Sequence, residues 1–351
     1  MIGRLVRRED SSDSSSFTVT IECGPENDYD GRLGLRISAI FVILVGSLLG
    51  TLVPILLART QRLPFPRTAL FIAKYFGSGV IIATAFIHLL APAVEALGSP
   101  CLDEDSPITQ YSWPEGIALM TVFLMFFIEL ISSRYGIPGF SQSLEQSDKE
   151  GDVEQDANTT AVVTDPKESV PAAHEHLGHA REHTEFDSLA MQMTAIFILE
   201  FGVIFHSIFI GLTLAVSGDE FVVLYIVLVF HQTFEGLGLG SRLAVAHWPP
   251  GKGWMPYLLG TLYALSTPIA IAAGLGVRQS LAPGSSSTLI VNGVFDSISA
   301  GILLYTGLVE LMAHEFLFST EMRRGSISVT LAAFACMCLG AGLMALLGKW
   351  A

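Results

Sequence analysis

Residues 221–245 read FVVLYIVLVFHQTFEGLGLGSRLAV. The first ten of these positions carry no charge. As an α-helix the whole stretch covers about 37 Å, enough to cross a hydrocarbon core of about 30 Å. Lipid offers no partner to an open backbone amide, so such a block is expected to be helical. Halfway along it stand His231, Gln232 and Glu235. Ionisable groups at membrane depth cost several kcal/mol and are functional candidates by default. His231 and Glu235 are four apart, share one helix face and lie one turn from each other. An imidazole and a carboxylate so placed can hold one divalent cation, and Gln232 widens the same face. Gly236, Gly238 and Gly240 let a neighbouring helix come close. That neighbour must bring further ligands.

The rest of the chain repeats the apolar pattern. Half of the 351 residues are hydrophobic (51%) and only 15% are charged, against roughly a quarter in a soluble domain. Eight spans are expected, at about 36–57, 70–97, 114–133, 189–216, 221–245, 255–277, 289–317 and 327–348. Pro- and Gly-containing breakers separate them, among them Leu63-Pro64-Phe65-Pro66, Ser99-Pro100 through Pro107, Trp248-Pro249-Pro250-Gly251 and Pro283-Gly284-Ser285. The fold class is therefore an all-α integral membrane protein of eight transmembrane helices. Residues 1–35 form a polar tail, 36–133 hold helices one to three, 134–188 form a long polar loop, and 189–351 hold helices four to eight. Much of the net charge of −14 sits in residues 9–30 and 144–187. No basic patch suits a nucleic acid.

Lys and Arg set the expected orientation. The loops after spans one, three, five and seven hold Arg59, Arg62 and Arg67; Arg134, Lys149, Lys167 and Arg181; Arg242 and Lys252; Arg323 and Arg324. Those after spans two, four and six hold only Arg278. The positive-inside rule then places both termini and the acidic loop Asp103-Glu104-Asp105 outside, and loop 134–188 in the cytosol. Arg4, Arg7, Arg8, Arg32 and Arg36 at the N-terminus argue the other way. The tail has no apolar core before the first span, so that span is expected to serve as signal anchor. Asn158-Thr159-Thr160 matches a glycosylation acceptor but faces the cytosol in this topology. Cys336 and Cys338 sit in the last apolar block as packing residues. Cys23 and Cys101 lie in polar segments and could pair if both face an oxidising side.

Other spans carry further ionisable residues: His88 and Glu95 in span two, Glu129 in three, Glu200 and His206 in four, Asp296, Glu310 and His314 in seven. His206 and the adjoining Ser207 could complete the site of span five. Two histidines and a carboxylate from adjacent helices suit Zn²⁺ or Fe²⁺. For His88 and His314 taken singly, a hydrogen-bonded packing role stands level with ligation. Glu129 and Glu200 are open in the same way, between helix–helix hydrogen bonding and metal contact. Glu310 and His314 repeat the carboxylate–imidazole spacing near the cytosolic end, as an exit site or an interfacial pair. In the long loop, His174, His176, His179 and His183 fall within ten residues. They form either a weak cytosolic metal-binding stretch or a soluble charged linker.

With these strings the sequence resembles the ZIP (Zrt-, Irt-like protein) family of divalent metal transporters, and within it the fungal zinc-regulated plasma-membrane type. His206-Ser207-x-x-x-Gly211 and His231-Gln232-x-x-Glu235-Gly236 resemble the signatures of the family's fourth and fifth helices. The eight spans and the His-containing loop between the third and fourth complete the likeness. The resemblance implies that His206, Ser207, His231, Gln232 and Glu235 line the metal site, with His88 along the pathway. Some bacterial relatives have a carboxylate where this chain has Ile210 and support two adjacent metals, so one well-formed site is expected here. It further implies an elevator-like shift of the helices that hold the site.

The expected function is import of Zn²⁺, with other divalent ions such as Fe²⁺ open, into the cytoplasm from the plasma membrane. No G-x-x-x-x-G-K-[ST] loop is present, so transport should run down a gradient or on an ion. Zinc is then substrate, with no cofactor. The expected partners are that ion and the lipid bilayer, with a homodimer open. Two rival readings remain: a zinc-dependent intramembrane hydrolase built on His206, His231 and Glu235, and a metal-sensing receptor. No His-Glu-x-x-His string supports the hydrolase.

Overall fold

The apolar blocks do form helices. In the computed structural model, which describes residues 29–59, 67–135, 185–278 and 285–350, eight helices are long and apolar enough to cross a membrane. None of the described residues lies in a strand. Helix α1 is Leu33–Arg59. Helix α2 begins as Arg67–Ala83, widens into a π-helical segment Thr84–Leu90 and ends as Ala91–Leu97. Next come α3 (Trp113–Tyr135), α4 (Glu185–Val216), α5 (Phe221–Val245) and α6 (Met255–Gly276). Helix α7 runs as Ser286–Tyr305 and continues π-helically through Thr306–Phe318. A short helix Thr320–Arg324 leads to α8, Ile327–Leu347. Many large apolar side chains face outward, Phe123, Phe126 and Phe127 on α3 among them. That is the expected surface where the solvent is hydrocarbon.

Spans two and seven depart from the regular helix expected of an apolar block, each carrying a π-helical segment. The π-segment of α2 has a local cause. Pro92 has no N–H to offer the carbonyl of His88 one turn earlier, and its ring crowds that carbonyl. The widened turn ends just before it. Such segments often sit at functional sites, and this one carries His88.

The helices pack as two groups of four. In one, α1 lies against α5 and α6, and α4 against α6; in the other, α2 lies against α8, and α7 against α2 and α3. The groups meet where α2 touches α5 and α4 touches α7. Glycine sets the α2–α5 distance: a Cβ built on Gly77 would run into the backbone of Gly238. Gly236 does the same service inside the first group, its Cβ position lying 3.2 Å from both Thr51 of α1 and the Tyr263 ring of α6. The close approach expected at the glycines of α5 is thus realised on two sides.

Arg36 proves to be no tail charge. It is fully buried. Its guanidinium donates to the carbonyls of Leu214, Ala215 and Ser217 at 3.1, 3.0 and 2.5 Å and to Asp30 at 2.8 Å. The last carbonyls of a helix lack internal partners and form its negative end, so Arg36 caps α4 from α1. The same hydrogen bond holds the Asp30 carboxyl below its ordinary range. Arg242, counted above with the cytosolic loop, lies within α5 and bridges the two groups. It donates to Glu315 of α7 at 2.7 Å and to Ser78 of α2 at 2.7 Å, and Lys74 joins the same carboxylate at 3.4 Å. Cys101 is disulfide-bonded; Cys336 and Cys338 are free thiols. Cys23, Asn158 and the four loop histidines lie outside the described residues.

Candidate functional site

Helices α4 and α5 form a hairpin with only residues 217–220 between them. His206 stands ten residues before the end of α4, and His231 ten residues after the start of α5. Equal spacing from the turn puts both at one depth, about 15 Å from it. The imidazoles face each other, Nε2 to Nε2 at 3.3 Å. One turn along α5, Glu235 Oε1 comes within 3.2 Å of His231 Nε2. His206, His231 and Glu235 are buried at 2%, 0% and 1% exposure. Among the described residues they are the group of His, Cys, Asp or Glu whose donor atoms lie together, within 4.8 Å of one another.

These donors are crowded yet poorly satisfied by one another. Neither Glu235 oxygen has an aligned hydrogen bond, nor does Nδ1 of His206 or His231. Unsatisfied buried groups are rare and call for a reason. For the Glu235 oxygens a dication shared with the two facing Nε2 atoms supplies one. Tetrahedral zinc with bonds of about 2.0–2.1 Å sets neighbouring donor atoms roughly 3.3–3.4 Å apart. The 3.3 and 3.2 Å separations here fit that shell.

His88, from the π-segment of α2, stands edge-on to His231 with ring centroids 4.8 Å apart. Its Nε2 lies 3.1 Å from the carbonyl of Met344 on α8, so that nitrogen donates. Nδ1 then keeps a lone pair in the neutral ring. The site thus sits where the two groups of helices meet, with donors from the first and a histidine from the second.

Ser207 and Gln232 follow His206 and His231 in the chain and are equally buried. They are engaged elsewhere. Gln232 Nε2 donates to Ser207 Oγ at 3.2 Å and to Thr267 Oγ1 of α6. The Tyr263 hydroxyl lies 2.6 Å from Gln232 Oε1 and 2.7 Å from its backbone oxygen. Sequence reasoning missed Tyr263 and Thr267. The available signal was a tyrosine in the middle of an apolar helix, since a buried hydroxyl needs a partner.

Glu310 and His314 are not brought to this cluster. They face each other at 3.9 Å on the π-segment of α7, with His314 half-exposed. Glu129 accepts a hydrogen bond from Tyr305 at 2.5 Å, the helix–helix role that stood open for it. Glu200 is buried with neither oxygen hydrogen-bonded. Asp103, Glu104 and Asp105 are exposed.

A family profile described as ZIP Zinc transporter matches residues 33–348, nearly the whole helical region. The chain belongs to the ZIP zinc transporter family. It is similar to zinc-regulated transporter 2 of Saccharomyces cerevisiae, 40% identical over 99% of both chains. Zinc-regulated transporter 1 of that yeast is 43% identical over 93% of this chain and 89% of its own. Zinc-regulated transporter 1 of Schizosaccharomyces pombe is 42% identical over 99% and 92%. The protein is accordingly a multi-pass membrane zinc transporter, with the divalent ion as substrate. The hydrolase reading falls with that membership.

Proposed function

We propose that zinc import by this chain runs through His206, His231 and Glu235, at the plasma membrane. The observation that carries the reading is the buried trio, its donor atoms all within 4.8 Å of one another and His231 at 3.3 and 3.2 Å from the other two. The ion sheds water onto two imidazoles and a carboxylate. Such an incomplete set lets it enter, bind and leave. His88 offers a further nitrogen from the opposite group of helices. Ser207 and Gln232 act behind the histidines. Glu310 and His314 form the exit, and His174, His176, His179 and His183 of the cytosolic loop receive the ion beyond it. Asp103, Glu104 and Asp105 gather ions outside, where both termini also lie.

The test is uptake of radiolabelled zinc by cells expressing the chain, with surface protein quantified. Glu235→Ala is expected to reduce transporter-dependent uptake to background. Normal uptake by that variant rejects the site. Competition by unlabelled Fe²⁺ and Mn²⁺ in the same assay ranks the ions.

A further inference from the structure

We propose that Tyr263 is a positioning residue of the transport site: its hydroxyl, with Thr267, ties up both ends of the Gln232 amide, so that the amide oxygen is withheld from the metal and the site keeps its preference for zinc. The inference rests on the site proposed above and adds how its neighbours limit it.

Four fully buried side chains from three helices make the network: Ser207 on α4, Gln232 on α5, Tyr263 and Thr267 on α6. Tyr263 engages Gln232 through both its side-chain and backbone oxygens, and the amide nitrogen is shared between Ser207 and Thr267. Ser207 adjoins one zinc donor, and Gln232 adjoins another. The network therefore fixes α4 and α5 against α6 at the depth of the metal. It also removes the amide oxygen from the pool of ligands. Free amide and carbonyl oxygens favour harder ions such as Mn²⁺, whereas imidazole favours zinc. In a dry interior an amide that loses a partner seeks another. A zinc ion held at the adjoining His231 is one such partner for an amide oxygen. Gly236 serves the same arrangement, since it admits the Tyr263 ring at 3.2 Å from its Cβ position.

Tyr263→Phe deletes the hydroxyl and keeps the ring. In cells expressing the full chain, zinc and manganese uptake are measured per surface transporter. The KM for zinc is expected to rise roughly fivefold, the worth of about one buried neutral hydrogen bond. The manganese-to-zinc uptake ratio should rise by a similar factor. Thr267→Val should shift both in the same direction, and Thr267→Ser, which keeps the hydroxyl, should recover them. A structural role alone would lower surface protein or maximal rate and leave KM and the ion ratio in place. Unchanged KM and ion ratio in both Tyr263→Phe and Thr267→Val overturn the inference; should the tyrosine variant fail to reach the surface, the Val/Ser pair decides alone. Glu235→Ala in the same cells separates the two claims. If it still transports, the site itself is wrong. If it is silent while Tyr263→Phe matches the parent, only the positioning role is lost.

Discussion

At the residue scale the proposed site is three donors held dry and close. The motif residues His206, His231 and Glu235 were legible because charge inside an apolar block is costly and therefore meaningful. Their partnership was legible too, since helical spacing places His231 and Glu235 on one face. What spacing could not show was how Ser207 and Gln232 are used. Gln232 is engaged by Tyr263 and Thr267 of α6, which sequence alone does not bring to the site, and Ser207 accepts from Gln232.

At the scale of elements, the helices owe their positions to glycine contacts and to two arginines, Arg36 fully buried and Arg242 partly so. Gly238→Val should force α5 away from the Gly77 backbone of α2. Overpacking of this kind costs about 1–3 kcal/mol or more, and a drop in folded protein on solubilisation would register it. The Arg242–Glu315 pair joins α5 to α7 across the two groups and is only 11% and 14% exposed. Removing one partner of a buried pair costs about 3–5 kcal/mol. Glu315→Leu should therefore lower the melting temperature of the purified protein more than His314→Leu, whose side chain is half-exposed. Equal shifts would remove the pair from the account. The ends of the helices followed from apolar block length. The π-segments did not, because the apolar pattern of a wide turn matches that of a regular helix at this length. Pro92 hinted at the first; no proline marks Thr306–Phe318.

For the molecule as a whole, the arrangement places the donors at the seam between two groups of four helices. An ion held on α4 and α5 lies beside His88 of the other group, so relative movement of the groups would carry the site past it. Among the sequence expectations, eight spans came through because hydrophobic length is a global property that needs no contacts. Arg36, counted in sequence with the N-terminal charges, spends its guanidinium on the carbonyls of α4. Deleting residues 174–183 should leave zinc uptake largely intact, since ordering a polar loop around metal costs entropy and the buried trio needs none of it. Complete loss of uptake would make the loop part of the pathway.

The claim that two imidazoles and a carboxylate share one ion is open to X-ray absorption at the zinc edge. Purified chain loaded with one equivalent of zinc should show nitrogen and oxygen scatterers at about 2.0–2.1 Å with the imidazole outer-shell pattern, and His231→Ala should lose part of that pattern. A shell of oxygen alone, or one unchanged in His231→Ala, would contradict the account.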